Sequence, residues 1–331
     1  MGEPLVSIIL SNYNGLNHLG ECFDSIFQLK YKNFEVIFID NNSQDRSVEF
    51  VRERYPNVKI IENKEDYGFS GANNIAIRHA KGKYIAFLNI DTVVDPNWLN
   101  KLVKVAEKSN DIGITVSKMY YYDKKELINY AGGCCDKYLK VKHIGDKKSD
   151  HRILNIQQEV FFACGAAMLI KRELYNMIGL FDPLYYGYCE DLDFSWRTWL
   201  TGYRVVYVPN SFIYHKIGQI MGEMSPKKLF LSERNRLRTL LKNYELKSLL
   251  TILPVYIGKR IGFFIKDILK LKFSAIVYIS TFLKAIFWNV IHSRSLIQNR
   301  KFINLIRIRD DKFIQSLMEK SNKQEKSIGK I

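Results

Sequence analysis

Acidic residues mark three widely separated places in this chain. Asp40 closes the apolar run Phe34-Glu35-Val36-Ile37-Phe38-Ile39, and Asp91 closes Tyr84-Ile85-Ala86-Phe87-Leu88-Asn89-Ile90. Asp191 follows Glu190 in Tyr188-Cys189-Glu190-Asp191-Leu192-Asp193. Open α/β sheets bind ligands in the crevice beyond the carboxyl ends of their strands, so acids placed there are expected to share one pocket. One can accept a hydrogen bond from a base or ribose, one can hold a divalent ion, and one is free to take a proton. That set suits transfer of a glycosyl group from a nucleoside diphosphate.

The elements that must position these acids follow from the apolar pattern. From Leu5 to about Lys118, short apolar runs alternate with amphipathic stretches, as βαβ units require. Leu5–Leu10, Phe34–Ile39, Val58–Ile61 and Tyr84–Leu88 predict strands; Leu16–Leu29, Ser47–Tyr55 and Ser70–Ala80 predict the helices between them. Asp95-Pro96 predicts the N-cap and first-turn proline of another helix. Beyond it, Ile112–Tyr122 and Val160–Ile170 read as strands, separated by a polar hairpin excursion from Leu127 to Lys148. A helix over Asp191–Thr201 ends at Gly202, and a strand over Arg204–Val208 is expected to stop at Pro209. The fold class is α/β, a mixed sheet flanked by helices. The expected division is a catalytic domain over 1–244, with a nucleotide half to about 118 and an acceptor half to 244, then a helical tail over 245–331.

Bulk composition bounds the rest. With 331 residues and 47% hydrophobic content, the chain can bury one large core and an appendage. Five cysteines without a CxxC pair, and Met1–Pro4 leading straight into an apolar run, predict a reduced, cytoplasmic setting without a targeting segment. The net charge of +16 is uneven: from Glu245 to Ile331 there are 17 Lys and Arg against 6 Asp and Glu. Such asymmetry predicts an anionic surface as partner, a membrane or a nucleic acid. Lys259, Arg260, Lys266, Lys270 and Lys284 interrupt the apolar stretches Ile252–Leu271 and Phe273–Ile291, which therefore suit helices lying in a membrane interface better than spans. The alternative is a helical cap on the catalytic domain. No recognition motif accompanies the basic residues, which ranks nucleic acid below membrane.

An ordered series of motifs resembles the inverting glycosyltransferases of family 2, and within them the rhamnosyltransferase-type branch. It comprises Val6-Ser7-Ile8-Ile9-Leu10-Ser11-Asn12-Tyr13-Asn14-Gly15, Asp40-Asn41-Asn42-Ser43-Gln44-Asp45, Gly68-Phe69-Ser70-Gly71-Ala72-Asn73-Asn74 and Leu88-Asn89-Ile90-Asp91-Thr92. Cys164-Gly165-Ala166-Ala167-Met168, Tyr188 to Arg197, Gly202 to Pro209 and His215 complete it. The resemblance covers about residues 5–240 and implies the GT-A fold.

It also implies roles. Ser11 and Tyr13 would face the nucleotide, with Tyr13 stacking on or flanking the base, and Asp40 would accept from a pyrimidine N3–H. Asn42, Gly68 and Asn73 join the nucleotide side; Asp45 and Ser43 read as structural. Asn89-Ile90-Asp91 stands where the family carries its acid-x-acid motif, with Asn89 in the first place and Ile90 for the usual proline. Asp91 would bind a divalent ion, Mn²⁺ or Mg²⁺, and His215 would complete that site; an imidazole tilts the choice toward Mn²⁺. Gly165 and Ala166 leave room for a sugar ring. Asp191 is the implied base, Glu190 its rival, and Asp193 with Arg197 an expected structural ion pair.

The expected donor is thus dTDP-rhamnose or a UDP-sugar, and the expected acceptor a saccharide, lipid-linked where the tail meets a membrane's inner face. A UDP-hexose or UDP-HexNAc transferase of the same fold acting on a protein or other acceptor is the alternative within the class. A nucleotidyltransferase is disfavoured because Ser11-Asn12-Tyr13-Asn14-Gly15 lacks a basic residue.

Overall fold

The computed structural model describes residues 2–216, 225–269 and 274–328. The nucleotide half supplies β1 (Val6–Asn12), β2 (Phe34–Asp40), β3 (Lys59–Glu62), β4 (Tyr84–Leu88) and β5 (Thr92–Val94). Between them run α1 (Leu16–Phe27), α2 (Ser47–Arg54) and α3 (Gly68–Ile77). After α4 (Trp98–Ala106) come β6 (Ile112–Tyr121), β7 (Leu127–Tyr130), β8 (Gly133–Cys135), β9 (Val141–His143), β10 (Lys148–Ser149), β11 (Gln158–Glu159) and β12 (Ala167–Lys171). The chain continues through α5 (Arg172–Ile178), α6 (Glu190–Leu200), β13 (Arg204–His215) and α7 (Pro226–Asn243). It ends in α8 (Leu246–Leu269), α9 (Ser274–Ile291), α10 (Ser293–Ile306) and α11 (Asp311–Ile328).

The large sheet runs β10-β7-β6-β12-β4-β1-β2-β3, with β13 beside β6, β5 and β11. β4, β1, β2 and β3 are parallel, whereas β12 enters antiparallel between β4 and β6. Every residue of β4 and β12 is buried, which explains the unbroken apolar runs Tyr84–Leu88 and Ala167–Ile170: both faces of the sheet are covered there. Because β1 and β2 are in register from Val6 opposite Phe34 to Asn12 opposite Asp40, polar residues at their ends emerge at one edge. The same edge receives Asn89-Ile90-Asp91 as the chain leaves β4.

Four expectations change. Pro209 does not end a strand: β13 continues to His215, and a register shift between Val208 and Phe212 accommodates the residue that cannot donate to the ladder. Pairing with β5 then sets His215 opposite Thr92. The strand expected over Val160–Ile170 begins only at Ala167; the segment before it is a buried loop. Leu127 to Lys148 is not a polar excursion, since Ile128, Tyr130, Cys134, Cys135, Leu139 and Ile144 are fully buried. Helix α4 starts at Trp98 with Asn97 flanking it, two residues later than the cap expected at Asp95, whose Oδ1 accepts from Asn97 N at 2.8 Å.

The tail is not of one kind. Ile303, Ile314, Leu317, Met318 and Ile328 belong to the main core, and Asn322 Nδ2 donates to Cys135 O. Lys142 pairs with Glu325 at 2.8 Å. Packing therefore crosses residue 244 freely, and the outward apolar surface is concentrated on α8, α9 and α10. Among the described residues, no helix is long and apolar enough to cross a membrane.

Candidate active site

A cavity of about 760 Å³ opens where β1 and β4 end. Ser11, Tyr13, Gly68, Asn89, Asp91, Gly165, Ala166, Glu190, Asp191 and His215 all line it. Ten of the residues singled out by sequence, spread from Ser11 to His215, thus face one space.

One wall holds a candidate metal centre. Asp91 Oδ1 is buried and receives no hydrogen bond; its neighbour is His215 Nε2 at 3.3 Å. On the other side of the ring, His215 Nδ1 lies 3.3 Å from Asn129 Oδ1 on β7. A proton on Nδ1 given to Asn129 leaves the Nε2 lone pair facing Asp91, the arrangement in which a histidine ligates. An orphaned carboxylate oxygen beside an imidazole nitrogen fits a divalent ion such as Mn²⁺ or Mg²⁺, the imidazole being the better accepted by Mn²⁺. Among the described residues no group of three or more His, Cys, Asp and Glu is placed to hold a metal ion; Asp91 and His215 are a pair.

At the β1–β2 edge the geometry differs from expectation. Asp40 does not line the cavity. Its Oδ1 accepts from Asn12 Nδ2 and Ser43 Oγ, both at 2.7 Å, and its Oδ2 accepts from Ser43 N at 2.8 Å. Asn12 and Asn41 are the residues that reach the space there. Asn42 lies exposed in a left-handed turn with φ 61°, outside the lining. Asn73 is buried in α3, where its Nδ2 returns to Phe69 O at 2.8 Å. Ser43 and Asp45 are structural as expected: Asp45 accepts from Leu16 N at 3.0 Å and Ser47 N at 3.1 Å, serving the starts of α1 and α2. Tyr13 is 45% exposed, a free ring at the mouth.

Gly68 is constrained twice. Its φ is +65°, and a Cβ would sit 2.2 Å from Tyr186 O. The start of α3 can approach the Tyr185–Cys189 loop only without a side chain there. Tyr186 Oη donates to the Asp66 carboxylate and ties the loop to this side.

The opposite wall carries the acid pair. Asp191 Oδ2 accepts from Gly165 N at 3.1 Å and Oδ1 from Leu192 N at 2.7 Å. Burial raises the Asp191 pKa, and these amides oppose the rise. Burial, and then the neighbouring Asp191, push Glu190 well above its ordinary value; Glu190 Oε2 has no hydrogen-bond partner. Of the two, Asp191 is better provided for as an anion and Glu190 as a neutral acid. Asp193 faces away. Although burial acts against its charge, Lys242 at 2.8 Å and Arg197 at 3.0 Å hold its pKa below the ordinary value.

Sequence reasoning missed the fourth wall. Lys227, Lys228, Ser232 and Arg236 of α7 line the cavity beside Tyr186 and Tyr188. Lys227 Nζ lies 4.5 Å from the centre of the Tyr186 ring, and Lys228 Nζ 5.6 Å from that of Tyr188. The available signal was the dense polar stretch Glu233 to Arg238, which a solvent-facing helix would also show.

A parallel-strand edge, an acid–imidazole pair and a buried acid pair thus surround one cavity in an α/β fold. The model of Glycosyl transferase family 2 matches residues 7–179, and the chain belongs to that family. An uncharacterized glycosyltransferase of Rickettsia prowazekii is 31% identical over 195 residues, 58% of each chain. Glycosyltransferase GlyG of Streptococcus pneumoniae is 25% identical over 228 residues, 66% of this chain and 73% of that protein. The chain spans 26% and 58% of the length of two of the curated relatives it matches.

Solved structures agree on the GT-A architecture. GalNAc-T7 with UDP, GalNAc and Mn²⁺ superposes with a TM-score of 0.59 at 20% identity, covering 72% of this chain and 48% of that one. A Pyrobaculum calidifontis mannosyltransferase in complex with GDP-Man and Mn²⁺ gives 0.54 at 15% identity, covering 98% and 87%.

Proposed function

We propose that this chain is a metal-dependent, inverting glycosyltransferase that moves a sugar from a nucleoside diphosphate to a hydroxyl of a saccharide acceptor. One observation carries the reading: the Asp91–His215 pair and the Glu190–Asp191 pair open onto the same cavity. Asp91 and His215 would hold the divalent ion, which when bound supplies positive charge for the departing diphosphate.

The protein's own groups do the rest. Ser11, Tyr13, Asn12 and Asn41 border the nucleotide end, with Asp40 acting through Asn12, and the small Gly165 and Ala166 leave space for the sugar. The acceptor oxygen bonds to the anomeric carbon as the bond from that carbon to the diphosphate oxygen breaks. The electron pair leaves on the diphosphate, and the acceptor's proton passes to Asp191. The amides of Gly165 and Leu192 keep Asp191 oriented and stabilise its charge. Attack opposite the leaving group inverts the anomeric configuration.

The resemblance in the motifs favours dTDP-rhamnose as donor, then a UDP-sugar. A lipid-linked saccharide is the acceptor class we favour, met at the cytoplasmic face of the membrane. Support comes from the surface of the last helices. Of 23 exposed large hydrophobic residues among those described, 18 lie at or beyond Leu246. On α9, Leu283, Phe287, Val290 and Ile291 form an outward stripe, each more than half exposed, while Phe282, Ala285 and Asn289 are buried beneath it. Exposed Lys247, Lys266 and Lys284 flank such apolar faces, a combination suited to lying on anionic lipid.

A thermal-shift screen of nucleotide sugars with Mn²⁺ tests the reading. A ligand at 100 times its dissociation constant should stabilise the fold by about 2.7 kcal/mol, and the shift should vanish with a chelator. Unchanged melting with every dTDP-, UDP- and GDP-sugar, with or without metal, would overturn it.

A further inference from the structure

The loop before the acid pair is held in an unfavourable shape. Tyr186, Tyr188 and Cys189 all have positive φ, at 63°, 70° and 65°. For residues with a Cβ such conformations cost about 1 kcal/mol or more each and persist only where the surroundings over-determine them. Here the loop leads directly into Glu190 and Asp191, because Cys189 is the N-terminal flank of α6.

What over-determines it is α7. Asn235 is fully buried, and its Nδ2 stands 2.9 Å from Tyr185 O, 2.8 Å from Gly187 O and 2.8 Å from Tyr188 O. The amide cannot turn over, because Asn235 Oδ1 accepts from Arg234 Nε at 2.8 Å. Arg234 Nη2 in turn donates to Leu184 O at 2.8 Å and Tyr185 O at 2.7 Å. Behind them, the Arg234 guanidinium lies 4.2 Å from the centre of the Trp288 ring, and Asn289 Nδ2 donates to Arg234 O at 3.1 Å. The loop's far side is also engaged: Ser70 N at the start of α3 donates to Tyr186 O at 3.2 Å.

We infer that Asn235 is a positioning residue for the transfer reaction: its amide gathers the carbonyls of Tyr185, Gly187 and Tyr188 and so sets Asp191 against the sugar. Resting on the glycosyltransferase reading, the inference goes further by placing control of the base on a helix beyond the matched family region. The loop touches α3 on one side and α7 on the other and runs directly into the acid pair, so its shape sets where Asp191 stands. An aspartate at 235 keeps the size and the Oδ1 acceptor but turns a carboxylate oxygen toward three carbonyls. An alanine removes the donor without repulsion.

The test measures N235D and N235A against the parent for transfer kinetics, melting temperature and Mn²⁺-dependent nucleotide-sugar binding. Displacing reacting groups by about an ångström costs on the order of 10²-fold in rate. The expected result is kcat lowered by about that factor in both variants, with donor KM and donor-induced melting shift within about threefold of the parent. Hydrogen exchange should quicken at residues 185–189 and not in β1 or β4. Two results would overturn the inference: folded variants with parental kcat, or kcat and donor binding falling together in proportion to lost folded protein. A parent without transfer activity would instead fail the reading on which it rests.

Discussion

His215 Nε2 faces Asp91 Oδ1 across 3.3 Å because β13 continues past Pro209 and pairs with β5, which begins one residue after Asp91. Lys216 N donates to Asp91 O at 2.8 Å and fastens the same junction. A donor pair far apart in sequence is thereby built from two adjacent strand ends.

Metal affinity should depend on the residue behind the histidine. Asn129→Ala removes the acceptor that orients the His215 ring. Titrating Mn²⁺ into the variant in the presence of nucleotide should show affinity lowered by about 10- to 100-fold, with maximal rate restored at saturating metal. Asp91→Ala should not be rescued in this way.

The two acids of the pair should separate on mutation. Asp191→Asn is expected to lower kcat by at least ~10²-fold with donor binding retained, whereas Glu190→Gln should cost less than about 10-fold. Since burial raises the Asp191 pKa, the acid limb of the rate profile should lie above the 3.8 of an ordinary aspartate. An acid limb at or below that value would contradict the assignment.

Stability should show the mirror image at Glu190. Its folded pKa is raised by burial, so the stabilisation from its neutral form is complete below 4.5 and is lost as pH climbs through the raised value. Glu190→Gln stays neutral throughout. Melting of the variant should match the parent near pH 4 and exceed it at pH 7.5 by a few degrees, about 1 kcal/mol.

Lys242 should prove structural. It is buried between Asp193 at 2.8 Å and Asp182 at 3.4 Å, and these carboxylates are held low by it and by Arg197 and Arg238. Lys242→Met is expected to cost about 3 kcal/mol in denaturant unfolding. With folded pKa values depressed, to about 2 for Asp182, both acids add stability above pH 3.8 that the parent loses on further acidification.

Vesicle flotation should discriminate among surfaces of the last helices. Phe287→Asp and Val290→Asp place charge on the outward stripe of α9, away from the buried Phe282 and Asn289. Binding to anionic vesicles should fall by more than about 10-fold while melting temperature stays unchanged, and the parent should bind neutral vesicles far less. Equal binding by parent and variants would remove the membrane from the proposal.

Several site residues were legible because their signals are local. An acid just after an apolar run, as Asp91 is after Tyr84–Leu88, stands near a strand end wherever a parallel sheet forms. Glu190-Asp191 opening a helix after an aromatic-glycine loop is similarly local. Asp40 shows the limit: its strand-end position was right, yet Asn12 and Ser43 enclose its carboxylate and Asn12 takes the place at the cavity. Facing depends on side-chain hydrogen bonds across strands, which one strand's sequence does not contain.

Alternation of strands and helices, the strand-end acids and the concentration of positive charge in the last quarter were readable along the chain, because each depends on residues near one another in it. Folding was needed to put Asn129 behind His215, to set Asn235 on the loop before Asp191, and to bury most of the polar stretch of α7. Those relationships are contacts between distant segments, and their energy comes from desolvated hydrogen bonds that exist only once the sheet and helices have packed.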